Sequence, residues 1–326
     1  MGFVTTSPTL ICTEATAAEK RARDVLAHEA WGDRLSVAEF VEREARLRAT
    51  PFATRAMRTW LLVEAGDLER RALASLETYE VGCALDGRAG RAFEIASVFT
   101  ERALRGRGHA TALLDAVARA LAAPDAFALT LYSDVGAAIY ERAGFGARPA
   151  HDWTLAARRG EAPGVERLSG DAAVAAVLAS RPVTGAFAIA PTVDQIGWHR
   201  AREEAYAALL GAPGAGHGVL RCRGGDALLA GDLKAGHLRV LGWWADDAAA
   251  ARALAAAAAD DAARAGLTDV VAWVARDDEG ALAAGLAEAG AVRTPREGSL
   301  PMLRPLPAAP TLRAEAWADV PRALWV

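Results

Sequence analysis

The amino-acid sequence predicts a mixed α/β protein in which one pattern of strands and helices occurs twice. The first half reads as two strands followed by strand, helix, strand, helix and strand, an order typical of a mixed sheet with helices on its faces. The second half repeats this order, and segment 143–148 (AGFGAR) is similar to 289–293 (AGAVR). With 326 residues the chain exceeds one typical domain of ~100–200 residues, so we expect domains at 1–157 and 165–326.

Each element of the first domain follows from a local pattern. Ser36 and Glu39, three residues apart, form a capping box that marks a helix start. Glycines at 87 and 90 supply a hairpin turn. The predicted elements are strands at 10–13, 59–64, 74–83, 92–100, 127–133 and 147–155, a helix from 17, and helices at 36–48, 108–122 and 135–143.

The second domain follows a linker at 156–168 that is rich in Arg, Gly, Glu and Pro. Arginine and aspartate interrupt the alanine run 248–265, which therefore predicts an exposed or half-buried helix. The predicted elements are strands at 218–221, 227–233, 238–243 and 270–274, helices at 246–265 and 279–289, and a final strand beyond 291.

The composition disfavours several classes of protein. A chain that is 52% hydrophobic and 24% charged is typical of a globular protein rather than a disordered one. Its net charge of −4 disfavours a nucleic-acid partner, and no apolar run reaches the ~18 residues that span a bilayer. Cys12, Cys83 and Cys222 are too few and too scattered for a disulfide framework or a zinc site. We therefore expect a cytoplasmic protein with no membrane partner and no metal.

A glycine-rich turn joins a strand to a helix within segment 97–111. Free N–H groups at a helix N-terminus form an anion site, and glycines let a phosphate approach the backbone. The turn is not a P-loop, because His109 and Ala110 stand where Lys and Ser/Thr are required. It is not a dinucleotide fingerprint either, because Thr111 replaces the third glycine. A plain helix start is the remaining alternative.

Residues 105–110 read Arg-x-x-Gly-x-Ala, which resembles the pyrophosphate-binding motif of the GNAT acyltransferases. Tyr140 follows Arg105 by 35 residues, on a short predicted helix that ends at Gly144 and Phe145, and this resembles the second GNAT signature. Both motifs occur on the expected elements, within a resemblance over roughly residues 8–157. The resemblance implies a GNAT fold, acetyl-CoA as co-substrate and no metal.

The GNAT resemblance also implies roles for individual residues. The strand ending in Thr100 would splay from the strand ending in Ser133, with the thioester in the gap. Backbone N–H groups near Val98 and Thr100 would hold the pantetheine arm. Tyr140 would protonate the leaving thiolate, although a helical tyrosine more often packs in a core. The pyrophosphate would bind Arg105, Gly106, Arg107, Gly108, His109 and Ala110.

A narrower resemblance is to the fungal lysine N6-acetyltransferases of lysine catabolism. Ser133 and Gly136 differ from the Asn and Ala of most GNAT enzymes and match the version of this narrower family. This resemblance implies that the acceptor is the side-chain amine of free L-lysine. The segments that carry it are 76–79 (LETY), 97–100 (SVFT), 104–106 (LRG) and 131–136 (LYSDVG).

The acceptor amine must lose a proton before it attacks, since a lysine ammonium has a pKa of ~10.4. Glu94, eleven residues before Arg105, has the spacing of the strand glutamate base in histone acetyltransferases, with an exposed strand charge as the alternative. Glu77 on the neighbouring strand is a rival base or a partner for a substrate ammonium. We expect Glu77, Tyr79 and Ser133 to contact the substrate.

The second domain lacks both signatures. Asp246 and Asp247 stand where the phosphate turn is expected, and their carboxylates would repel a diphosphate. Leu286 stands where Tyr140 stands in the first domain. We therefore expect a degenerate GNAT-like domain that packs on the first and helps to wall the substrate pocket.

Two alternatives to the lysine acceptor remain open. The same fold could acetylate a protein N-terminus, a polyamine or an aminoglycoside, or the chain could bind CoA without turnover. A free amino acid requires a cation for its α-carboxylate and an anion for its α-amine. A pocket without Arg, Lys or His would count against it.

Overall fold

The computed structural model describes residues 9–181, 183, 185–214, 216–273, 280–317 and 319–326. Val274 and Glu279, the predicted ends of one strand and one helix, lie outside these residues. In the described ranges, no helix is long and apolar enough to cross a bilayer.

Several helices begin at a side-chain cap. Thr16, Ser36 and Thr192 each complete a capping box with the side chain three residues later, which confirms the box predicted at Ser36. The α-helices of the described chain are α1 (Ala17–Trp31), α2 (Val37–Arg48), α3 (Pro51–Ala56), α4 (His109–Ala120), α5 (Ala138–Glu141), α6 (Asp171–Ser180), α7 (Val193–Leu210), α8 (Ala248–Arg264) and α9 (Ala281–Glu288).

The strands form two sheets. Those of the described chain are β1 (Leu10–Glu14), β2 (Met57–Glu64), β3 (Ala74–Leu85), β4 (Arg88–Phe99), β5 (Ala126–Ser133), β6 (Gly146–Ala147), β7 (His151–Ala156), β8 (Glu166–Leu168), β9 (Phe187–Ile189), β10 (His217–Cys222), β11 (Gly225–Asp232), β12 (His237–Ala245), β13 (Asp269–Trp273), β14 (Val292–Pro295) and β15 (Leu300–Pro305).

The first sheet has the order β1-β2-β3-β4-β5-β15-β6, with β9 also paired to β3. The second has the order β14-β7-β13-β12-β11-β10-β8. Each sheet contains one parallel pair, β4 with β5 in the first and β12 with β13 in the second. The predicted mixed sheets with flanking helices are therefore confirmed.

The two sheets exchange strands. β7 ends at Ala156, where the predicted linker begins, yet it lies between β13 and β14 in the second sheet. β15 comes from the C-terminal part of the chain and lies between β5 and β6 in the first. Each sheet therefore needs residues from both halves, and the division into 1–157 and 165–326 stays a prediction.

The parallel pair β4 and β5 opens part-way along its length. Its last paired residues are Ile95 and Leu131, although both strands continue beyond them. Ser97 has a φ of 52° and lies in a bulge of β4 relative to β3. The strands consequently splay apart, which is the arrangement that the sequence resemblance implies.

Several predicted elements differ from those observed. The β3–β4 hairpin turns at Asp86 and Gly87, both with positive φ, rather than over 87–90, because a two-residue turn of this kind matches the strand twist. The predicted helix 135–143 is reduced to α5, since Gly136 with φ 77° forms a turn. The predicted strand 147–155 is divided into β6 and β7, where the chain passes between the sheets.

The packing explains why α7 was not predicted and why α8 is more buried than predicted. α7 buries both apolar and polar residues, among them Gln195, His199 and Glu203, so it has no clean apolar stripe. The alanine-rich α8 is largely buried, not exposed or half-buried as predicted. Small side chains let α9 approach it so closely that Gly285 lies against the Ala248 backbone.

Candidate active site

A cavity of about 500 Å³ opens where β4 and β5 part. Its walls come from these strand ends, from α1, α2 and β3, and from α7, β12 and the C-terminal residues. Four of the predicted site residues line it: Val98, Tyr140, Glu77 and Tyr79. The fold therefore brings the predicted acid, one predicted pantetheine contact and two predicted substrate contacts to one cavity.

Tyr140 lies on the short helix α5 and is half-buried. Its ring packs edge-on against Phe145, with the ring centroids 6.0 Å apart. Burial, with a smaller contribution from Asp134, raises the pKa of the phenol to about 12. The phenol therefore stays protonated at neutral pH and can donate a proton into the cavity.

The turn at 105–110 lies at the surface beyond the end of β4. Gly106 and Gly108 have φ values of 78° and 80°, which are readily accessible only to glycine. α4 begins at His109 without a side-chain cap, so its first N–H groups remain available to an anion. The turn therefore presents backbone N–H groups that no side chain caps, at the start of a 12-residue helix.

Two exposed arginines of this turn bond to nearby oxygens. Arg105 donates to the Thr100 carbonyl at 2.9 Å and to the Glu29 carboxylate at 2.8 Å. Arg107 donates to the Ala103 carbonyl at 3.2 Å. An exposed ion pair such as Arg105–Glu29 is worth at most about 1 kcal/mol, so a diphosphate can replace Glu29 as the partner.

Glu77 is buried in the cavity wall between two arginines. Arg23 donates to its Oε1 at 3.0 Å and Arg48 at 3.4 Å, and Arg48 also grips Asp24 with both terminal nitrogens. Burial by itself would raise the pKa of Glu77, but the two guanidinium groups hold it below the ordinary value. Glu77 is therefore an anion at neutral pH.

Glu94 lies one layer behind the cavity wall. Its neighbour on the same strand face, Ala96, lines the cavity, while Glu94 itself is buried under α7. Gln195 donates to its Oε2 at 3.4 Å, and Oε1 has no hydrogen-bond partner among the described residues. Burial raises the pKa of Glu94 well above its ordinary value, and the Gln195 bond offsets this only in part.

The remaining predicted residues have different surroundings. Tyr79 stacks on Phe52 in the wall, with centroids 5.5 Å apart. Thr100 follows β4, and its buried hydroxyl has no partner in the described part of the chain. Ser133 is buried, donates to the Gly136 carbonyl at 2.6 Å and accepts from the Val135 N–H at 3.3 Å. Ser133 thus stabilises the turn that precedes α5, and it does not line the cavity.

Comparison with known protein sequences gives a family match for the C-terminal part of the chain only. Residues 171–319 match the sequence profile of the family described as the LYC1 GNAT-like C-terminal domain. A search of curated protein sequences finds no match.

Several solved structures share most of this architecture. The chain superposes on a probable N-acyltransferase from Enterococcus faecalis with a TM-score of 0.62, at 15% identity, over 92% of this chain and 73% of that one. A GCN5-related N-acetyltransferase from Anabaena variabilis gives 0.61 at 14% identity, over 91% and 72%. Eis1 from Mycobacterium abscessus gives 0.55 at 15% identity, over 91% and 73%. The chain has the GNAT fold.

The second GNAT-like sheet differs from the first at the expected anion site. Asp247 caps α8, and its Oδ1 accepts the Ala250 N–H at 2.7 Å, whereas α4 has no such cap. Asp246 pairs with Arg181 at 2.7 Å. Leu286 is buried in the core. A carboxylate therefore already occupies the place where a phosphate would bind, as the sequence predicts for a degenerate copy.

Sequence reasoning missed most of the charges in the cavity of this GNAT fold. Arg23 and Arg48 lie on amphipathic helices, where a buried arginine looks like an exposed one. Arg202, Arg239 and Arg322 come from α7, β12 and the C-terminal turn, and no local pattern marks them. Only the tertiary structure brings these five together. In the described ranges, no group of three His, Cys, Asp or Glu side chains is arranged to hold a metal.

Proposed function

We propose that this chain is an acetyl-CoA-dependent N-acetyltransferase that acetylates the side-chain amine of free L-lysine. The amine attacks the thioester directly within a ternary complex. The observation that carries the proposal is the position of Tyr140, whose protonated phenol lines the cavity at the parting of β4 and β5. A phenol there is suited to protonate the thiolate that leaves when the carbonyl–sulfur bond breaks.

The splay supports a binding mode for acetyl-CoA. Beyond Ile95, one edge of β4 has no pairing with β5, so the backbone near Val98 and Thr100 is available to the pantetheine arm and the thioester carbonyl. Arg105 to Ala110 would hold the diphosphate at the helix start. In this binding mode the co-substrate would extend from the surface turn to the cavity.

The opposite pKa shifts of two glutamates support different roles for them. Glu77, held ionised by arginines, is suited to attract the acceptor ammonium. Glu94, whose pKa is raised by burial, is in its ionised form a stronger base than an ordinary carboxylate. Because Glu94 lies behind the wall, we propose that the proton reaches it through water.

The lysine assignment rests on the narrower sequence resemblance and on the charges of the cavity. Cations such as Arg23 and anions such as Glu77 line the cavity. A free amino acid requires both, one for its α-carboxylate and one for its α-amine. The profile match over 171–319 supports the same comparison for the C-terminal part.

Cys12, Cys83 and Cys222 are free thiols, which supports a reducing, cytoplasmic location.

Steady-state acetyl transfer tests the proposal. Thiol release from acetyl-CoA is measured with L-lysine, ornithine, spermidine and a histone-tail peptide, and mass spectrometry locates the acetyl group. We expect the highest kcat/KM with lysine and the product acetylated at N6. Lysine no better than the peptide would contradict the lysine assignment, and no transfer to any amine would contradict the acetyltransferase.

A further inference from the structure

Three buried guanidinium groups converge on one tryptophan in the cavity wall. Arg202, Arg239 and Arg322 lie 5.4, 4.9 and 4.7 Å from the centroid of Trp325. All three are less than one-tenth exposed, and all three line the cavity. Charges brought this close in a buried site repel one another unless anions compensate them.

Two carboxylates compensate two of these cations. Asp232 contacts Arg239 and lies 3.6 Å from Arg202. Glu203 is buried nearby and raises the pKa of both arginines, although burial is the larger effect and lowers each. The third cation, Arg322, makes no ion pair with a carboxylate anywhere in the described chain.

Arg322 lies between aromatic faces, with an unused donor. Its guanidinium is 3.7 Å from the centroid of Trp273, and its Nε has no hydrogen-bond partner among the described residues. Burial first, and then the neighbouring Arg296 and Arg202, lower the pKa of Arg322 to about 9, and the weaker effects of Asp152 and Asp134, neither of which forms an ion pair with it, offset this only in part. An anion bound in the cavity would supply the ion-pair partner that Arg322 lacks among the described residues.

Arg296 stacks on the same tryptophan and, unlike Arg322, has both an ion-pair and a hydrogen-bond partner. Arg296 also lies 3.7 Å from the centroid of Trp273. It donates to Asp152 at 3.0 Å and to the His151 carbonyl at 3.1 Å, and it does not line the cavity. Stacking on Trp273 therefore does not explain why Arg322 faces the cavity without an anion.

We propose that Arg322, assisted by Arg202 and Arg239, binds the carboxylate of the acceptor, so that the acceptors are primary amines that also carry a carboxylate. This inference rests on the proposed acetyltransferase function. A planar carboxylate matches the donor edge of a guanidinium, which can bind it through two nitrogens. The diphosphate of acetyl-CoA is not the anion concerned, because its proposed site at 105–110 lies outside the cavity lining.

The test compares L-lysine with cadaverine, which is lysine without its carboxylate. We expect the wild type to prefer lysine by at least about tenfold in kcat/KM. Arg322→Gln should lower kcat/KM for lysine by about 10–100-fold, mainly through KM, as expected when a hydrogen bond to a charged group is lost. The same variant should keep kcat/KM for cadaverine within about threefold of the wild-type value. The preference for lysine over cadaverine should therefore disappear.

Arg296→Gln is the matched control, since it removes a guanidinium from the same tryptophan without changing the cavity wall, and it should keep the preference for lysine. Arg322→Lys, which retains a charge without the planar fork, should have an intermediate preference. Thermal unfolding and the heat of CoA binding establish that each variant is folded. Calorimetry of lysine and cadaverine in the presence of CoA repeats the comparison without turnover.

Equal use of lysine and cadaverine by the wild type would overturn the inference while leaving the acetyltransferase in place. An equal loss with both amines in Arg322→Gln would overturn it as well, because the arginine would then act on the fold and not on the carboxylate. Failure of every amine to accept an acetyl group would overturn the proposed function itself.

Discussion

Glu77 and Glu94 project from the same face of neighbouring strands, two residue pairs apart, and their carboxyl pKa values are shifted in opposite directions. Glu77 has two arginine partners, whereas Glu94 has only the Gln195 amide among the described residues. Glu77 is therefore an anion in the cavity wall, whereas Glu94, in the layer behind the wall, binds a proton more readily than an ordinary carboxylate. Each consequence can be measured separately.

Glu94→Gln should stabilise the protein, and the gain should grow with pH. A folded-state pKa raised above the unfolded value means that the native state binds the proton more tightly. The wild type therefore loses up to about 1.4 kcal/mol of unfolding free energy per pH unit as pH rises above about 4.3, until the folded pKa is passed. Urea unfolding at several pH values checks this. An equal pH slope in the variant would contradict the raised pKa of the Glu94 carboxyl.

Glu77→Gln should have the opposite effect on stability. It removes the carboxylate between Arg23 and Arg48, and breaking a buried pair costs about 3–5 kcal/mol. Because the folded pKa of Glu77 is lowered, its contribution is present above the unfolded value and is lost as pH falls. Glu80→Gln on the same strand is the control, since its exposed pair with Arg91 is worth about 1 kcal/mol or less. Similar urea midpoints for the two variants would refute this account.

Tyr140→Phe should lower kcat by about 10²–10⁴-fold, the usual contribution of a general acid, because the thiolate would leave unprotonated. Binding of CoA, measured by calorimetry, should change little. Tyr206→Phe is the matched control: its hydroxyl accepts from Arg43 and lies outside the cavity lining. That variant should keep kcat within about threefold. Unchanged turnover in Tyr140→Phe would show that the phenol only packs against Phe145.

Gly108→Ala should weaken CoA binding by about 10–100-fold. Alanine disfavours the φ of 80° by about 1–2 kcal/mol, and a shifted turn no longer aims its N–H groups at the diphosphate. Gly87→Ala imposes the same strain in the β3–β4 hairpin, at φ 79° and also with open space around the added methyl group. Equal CoA affinity in the two variants would mean that the turn at 105–110 is only a helix start.

The sequence predicted the local signatures of this site better than its surroundings. The glycines at 106 and 108 and the tyrosine at 140 belong to short motifs, so a resemblance to the GNAT signatures was enough to single them out. Arg322 and β15 reach the cavity and the first sheet only because the C-terminal part of the chain crosses between the two sheets. Hydrophobic periodicity in the sequence does not indicate such a crossing. α7 escaped prediction because its buried face contains polar residues such as Gln195 and Glu203.

We propose that the turn at 105–110 holds a diphosphate and thereby sets a thioester beside Tyr140. Calorimetric titration with coenzyme A and with pantetheine, which lacks the diphosphate, tests it most directly. We expect one site for coenzyme A and at least about tenfold weaker binding of pantetheine, because pantetheine cannot make the charge-assisted hydrogen bonds of the diphosphate. No heat with coenzyme A, or equal affinity for the two ligands, would contradict it.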